Sequence, residues 1–147
     1  HVTRIGSPVS LPNREGQFIE VRMVVPPFFE MGLYIPTKSE LLESVENSGS
    51  RVFRFVNFNA QKLSLAYKWL WFKTSEETFY GMKIFQGHLC APPRIWLWAG
   101  DKCKAASEIG FLPLGGVLSL YVPHSSDVPV KKGERIKAGQ TIVAALK

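Results

Sequence analysis

The sequence predicts a mainly β domain of the barrel-sandwich-hybrid kind, with little helix and two pseudo-symmetric strand-turn-strand repeats. Three observations predict it. Apolar and aromatic residues alternate with a period of two rather than 3.6 over much of the chain. Gly and Pro interrupt these runs at short intervals, which suits tight turns and excludes long helices. A segment beginning at Ala99 recurs 33 positions further on. At 147 residues, positions 1–147 are expected to form one domain with a core that needs neither disulfides nor metal.

The elements follow in order. Pro26-Pro27 cannot lie inside a central strand or a helix, so it marks a bend. Thr37, Ser39 and Glu40 suit the start of a short helix through Leu41, Leu42 and Val45, ended by Asn47-Ser48-Gly49; the same residues also suit a strand. Val52 to Phe58 reads as a strand with Phe53 and Phe55 on one face. Leu63 to Phe72 continues the pattern, with Tyr67, Trp69 and Trp71 at alternate positions. Phe79 to Phe85 is an apolar, strand-like run, and Pro92-Pro93 marks a second bend. The repeat aligns Ala99-Gly100-Asp101-Lys102-Cys103 through Ile109 with Lys132-Gly133-Glu134-Arg135-Ile136 through Ile142. In each copy a glycine supplies the turn backbone, the charged residues stay solvated, and Cys103/Ile136 and Ile109/Ile142 point inward. Two copies are too few for a solenoid. Several unrelated activities use such a folded-over sheet, biotinyl and lipoyl carriers among them, so the repeat speaks for architecture rather than function.

Composition narrows the classes. Apolar residues make up 46% of the chain and charged residues 20%, a balance that argues against disorder. A net charge of +6 favours anionic partners at encounter, but a solvated basic surface explains it equally. No apolar run approaches the roughly 20 residues of a membrane-spanning helix, and the first residues lack a signal pattern. The expectation is a soluble or membrane-peripheral protein without a transmembrane segment. A chain opening on His1 rather than Met implies an N-terminus set by processing or by a cloning boundary. Cys90 and Cys103 lack the companions that a zinc site requires, so both read as buried free thiols and no metal is expected.

Between the repeats runs Glu108-Ile109-Gly110-Phe111-Leu112-Pro113-Leu114-Gly115-Gly116-Val117-Leu118-Ser119-Leu120-Tyr121-Val122-Pro123. This segment resembles the end of a phosphatidylserine decarboxylase, where a Gly-Phe-Ile-like strand leads to Gly-Ser and then to an apolar strand ending near Pro. Gln86-Gly87-His88-Leu89 and Arg94 to Asp101 resemble the family's segment before its first Gly-Asp turn. The likeness is strongest over 83–147. It implies an enzyme that cuts its own Gly-Ser bond and turns the serine into a pyruvoyl cofactor, whose ketone forms a Schiff base with the substrate amine. At the matching position this chain carries Gly116. Without a hydroxyl or a β-carbon, no pyruvoyl group can be built there, so no catalytic residue and no cofactor are expected. The family's His-Val-Asn-Arg-like histidine is imitated by His1-Val2-Thr3-Arg4, but its spacing falls near Leu33, where no base stands, and a chain end orients a base poorly.

Other candidates read as structural. Ser119 belongs to the strand after the turn, and Gly49-Ser50 and Gly6-Ser7 lie elsewhere in the chain. Met82-Lys83 imitates a biotin-carrier site, but a modified lysine belongs at a hairpin tip and Lys83 sits inside an apolar run. His124-Ser125-Ser126-Asp127 reads as a polar loop. Trp69, Trp71, Trp96 and Trp98, interleaved with Lys68, Lys73 and Arg94, read first as core packing, and no RNA-binding fingerprint accompanies them. The resemblance then implies a non-catalytic protein with Leu114, Gly115, Gly116 and His88 lining a pocket for an amino-phospholipid or another small amine. The alternatives are an active decarboxylase held uncut by a Ser-to-Gly exchange, and a carrier or scaffold module. A membrane-surface or protein partner, or a homo-oligomer, fits any of these; nucleic acid does not.

Overall fold

The computed structural model describes residues 2–6, 9–10, 16–25, 31–35, 37–47, 67–86, 93–105, 107–113 and 115–135. The regular structure in these residues is entirely β. In chain order the strands are β1 (Val2–Ile5), β2 (Val9–Ser10), β3 (Gln17–Val25), β4 (Met31–Tyr34), β5 (Ser39–Asn47) and β6 (Tyr67–Thr74). They continue with β7 (Phe79–Gln86), β8 (Arg94–Ile95), β9 (Lys102–Cys103), β10 (Glu108–Leu112) and β11 (Gly116–Pro123). The larger sheet runs β1-β3-β11-β7-β6-β5-β9, with β2 also paired to β3; the smaller runs β4-β10-β8. The strands pair antiparallel, and among the described residues neither sheet closes into a barrel.

Period-two alternation decides which side chains meet. Val21, Met23 and Val25 of β3, Leu120 and Val122 of β11, Tyr80, Met82 and Ile84 of β7, and Leu70 and Phe72 of β6 turn to one side. They pack in one core with Leu33, Ile109 and Leu112 from the smaller sheet and the Ile35 that follows β4. Each such side chain, fully buried, contributes about 1.5–3 kcal/mol of transfer free energy. The opposite side of the larger sheet carries Phe18, Tyr67, Trp69, Trp71 and Tyr121. Trp71 stacks on Phe79 and Trp69 and meets Phe18 edge-on at 5.4 Å.

One open choice is decided and one expectation is corrected. The stretch from Ser39 to Asn47 is a strand, not a helix: it is caught between β6 and β9, and Leu41 is buried while Leu42 and Val45 are exposed. A helix would have put all three on one face. Cross-strand pairing and the bond between the Ser39 and Tyr80 hydroxyls, at 2.6 Å, outweigh the local helix preference. The four tryptophans also divide: Trp71 is buried and Trp69 half-buried, but Trp96 and Trp98 are 50% and 79% exposed.

The two repeat turns share one design. In Trp98-Ala99-Gly100-Asp101 the Asp101 N–H donates to the Trp98 carbonyl at 3.0 Å, and the Asp101 carboxylate accepts the Trp98 N–H at 2.8 Å. In Lys131-Lys132-Gly133-Glu134 the matching bonds are 3.1 and 2.9 Å. The glycine is the third turn residue, at φ 95° in one and 89° in the other, where a β-carbon is strained. Cys103 and Ile109 point inward. The second copy from Ile136 onward lies outside the described residues, as do Val52 to Phe58, Pro26-Pro27 and Cys90.

Candidate functional site

The candidate site is the connection from β10 to β11. β10 lies between β4 and β8, with Gly110 paired to both Leu33 and Ile95. A β-carbon at Gly110 would stand 2.0 Å from the Arg94 carbonyl oxygen, so only glycine lets β8 lie this close. After β10 an isolated bridge joins Pro113 and Gly115. Gly115 and Gly116 follow at φ 71° and 149°, both on the side of the map that residues with side chains avoid. Both glycines are buried.

Gly116 opens β11, the strand flanked by β3 on one side and β7 on the other. Its partners across the sheet are Val25 and Gln86. Gln86 stands two residues before His88 in the sequence; His88 and Leu114 lie outside the described residues. Of the predicted site residues, the structure therefore places Gly115 and Gly116 together at the head of a central strand. Leu33, where the family's histidine spacing falls, is 2% exposed and packs in the core, so that position offers no base.

The other chemical candidates are not brought to this turn. His124 and Asp127 are exposed beyond the far end of β11, about 23 Å away at the usual rise per strand residue. Ser119 is fully buried in mid-strand between Arg22 and Lys83, with its hydroxyl unpartnered among the described residues. Its preceding peptide belongs to a regular ladder on both sides, not to a strained turn. Lys83 lies within β7 with its ammonium 4.3 Å from the Tyr67 ring centre, away from any hairpin tip, which removes the basis for a carrier lysine. Among the described residues no group of three or more His, Cys, Asp or Glu side chains could hold a metal ion. Burial, reinforced by the charge of Asp101, pushes the Cys103 thiol up, so it stays protonated and is a poor nucleophile.

Sequence reasoning missed one polar cluster. On the aromatic side of the larger sheet, Tyr121 donates its hydroxyl proton to Glu20 Oε2 at 2.5 Å, and Arg22 Nη2 lies 3.0 Å from Glu20 Oε1. Trp69 meets Tyr121 edge-on at 5.5 Å. The available signal was Glu20 and Arg22 at alternate positions of an otherwise apolar run; their partner lies 101 residues away.

Comparison with known proteins supplies relatives for part of the chain. A stretch of 47 residues, 32% of the chain, is 38% identical to an archaetidylserine decarboxylase proenzyme of Methanosarcina barkeri. A stretch of 53 residues, 35% of the chain, is 38% identical to that of Methanocaldococcus jannaschii. A phosphatidylserine decarboxylase proenzyme of Symbiobacterium thermophilum is 31% identical over 51 residues, 35% of the chain. These matches span 23%, 26% and 24% of the respective relatives, about a quarter of their length. No family model matches the chain. No solved structure matches it.

Proposed function

We propose that this chain is a non-catalytic relative of the phosphatidylserine decarboxylases that binds an amino-phospholipid headgroup, or another small amine, beside Gly115-Gly116. The observation that carries this reading is the residue at position 116. In the resemblance, self-processing needs a serine oxygen to attack the preceding carbonyl, an ester to replace the amide, and loss of that ester oxygen from the β-carbon. Gly116 has neither the oxygen nor the β-carbon. The residues present therefore do not fit a pyruvoyl group, and no step runs through one. The φ of 149° at Gly116 supports a turn adapted to glycine rather than one awaiting serine.

Relatives that are decarboxylase proenzymes support an amine-bearing phospholipid as the ligand class. Among the described residues no helix is long and apolar enough to cross a membrane. A second reading, a scaffold module that serves a protein partner, is favoured by the burial of both glycines. Thermal shift separates the two. Stabilisation by short-chain phosphatidylserine, phosphatidylethanolamine or ethanolamine, reduced in Gly115→Val, supports ligand binding. No shift with any of them leaves the scaffold reading. An intact mass showing two fragments and a keto-acyl terminus in the unaltered protein would refute the non-catalytic assignment.

A further inference from the structure

We propose that Arg94, Trp96 and Trp98 form a docking row for the surface of an anionic phospholipid bilayer. From Arg94 in β8 to Trp98 beyond it, exposed and half-buried residues alternate along the chain. Ile95 and Leu97 pack against the core, while Arg94, Trp96 and Trp98 face solvent. Trp96 and Trp98 are the two most exposed large apolar side chains among the described residues.

The row is fixed in place. The Trp96 indole N–H donates to the Glu108 carbonyl at 3.2 Å, and its ring lies 6.0 Å from that of Phe111. The Arg94 guanidinium lies 5.7 Å from the same Phe111 ring. The Trp98 backbone is tied into the Gly100 turn by Asp101. The Trp96 indole, held outward, therefore loses little conformational freedom on binding.

The chemistry favours a bilayer over other occupants. An indole combines a broad apolar body with one N–H and settles at the headgroup level of a membrane. Two tryptophans bury at most about 250 Å² each, short of the roughly 800 Å² per partner in a standard protein interface. Arg94 is exposed within the row, and Lys102 and Lys104 are exposed just beyond the Gly100 turn that holds the Trp98 backbone. Along the sequence from Arg94 to Glu108 these three cations outnumber Asp101, which Trp98 engages, and Glu108, in a chain of net charge +6; Glu40 faces Lys102 across the sheet. Anionic lipid adds attraction to this, while the indoles supply the insertion. The inference does not depend on a ligand beside Gly116, although β10 carries both the contacts to this row and the start of that turn.

Flotation with vesicles tests the row directly. Wild-type protein should float with vesicles of phosphatidylcholine and phosphatidylglycerol in equal parts, and more weakly with phosphatidylcholine alone. Trp96→Ser with Trp98→Ser should weaken binding at least about tenfold, with the melting temperature unchanged. Arg94→Gln should weaken it about fivefold on the mixed vesicles and little on the neutral ones. Should the double variant melt early, Trp98→Ser alone serves, since that side chain is 79% exposed, and it should still lose severalfold. Lipids brominated near the headgroup should quench the wild-type fluorescence and not that of the double variant. The proposal is overturned if wild type does not float, or if the tryptophan variants float equally well. It is likewise overturned if the row binds oligothymidine more tightly than vesicles, or if the substitutions instead dissociate a dimer on sizing.

Discussion

Gly116 and its neighbour are where a single residue decides most. A serine placed there would have to adopt φ near 149° or drag the head of β11 with it. Gly116→Ser is therefore expected to cost about 1–3 kcal/mol, the usual range for a strained backbone position, and to give one band rather than two on a denaturing gel. Cleavage into two fragments would instead revive the held-precursor reading. Tyr80 offers a second residue-scale test. Burial drives its phenol well above its ordinary pKa, although the Ser39 hydroxyl pulls the other way. A raised pKa means that the folded state holds the proton more tightly, so stability is level below the unfolded value near 10 and falls as pH climbs beyond it. Tyr80→Phe should lose about 1 kcal/mol at neutral pH through the missing hydroxyl bond, while Ser39 keeps its bond to the Thr37 carbonyl, and chemical denaturation should show this deficit shrinking above that pH. A deficit that stays constant would refute the assignment. Cys103 should react slowly with a disulfide reagent in the fold and quickly in denaturant.

Among the elements, β8 is short and pairs only with β10 among the described strands, yet it leads directly into the exposed tryptophans. Its position depends on Gly110, where an added methyl group would collide with the Arg94 carbonyl. Gly110→Ala should cost about 1–3 kcal/mol, and hydrogen exchange should show the Trp96 amide, bonded to the Ile109 carbonyl at 3.1 Å, losing protection first. Loss of protection spread evenly over the larger sheet would argue against this local role. The paired turns make a matched test. Gly100→Ala and Gly133→Ala should each destabilise by about 1 kcal/mol or more, as positive-φ glycines do. Since neither position has neighbours within 4 Å of the added carbon, backbone conformation alone would account for the loss. The glycine-turn pattern was legible in the sequence because Gly and the acidic residue after it are local signals. The strand at Ser39–Asn47 was not settled locally, since the same residues satisfy both periods until β6 and β9 pair with them.

Among the described residues two sheets share one core, and Leu33, Ile109 and Leu112 carry the smaller sheet's side of it. Leu112→Ala should cost about 2–5 kcal/mol and lower the thermal midpoint without altering the isolated turns. β structure, the strand-forming aromatic run at Tyr67 to Trp71 and the absence of a hydroxyl at position 116 could be read from residue order alone, because alternation and side-chain chemistry are properties of near neighbours. The division of the tryptophans could not. Trp69 and Trp71 alternate just as Trp96 and Trp98 do, and only the sheets decide that the first pair lies against neighbouring aromatics while the second faces water. The joining of Glu20 to Tyr121 and of Gly116 to Gln86 and Val25 was equally out of reach, because strand order brings together residues whose separation in the chain carries no trace of their contact.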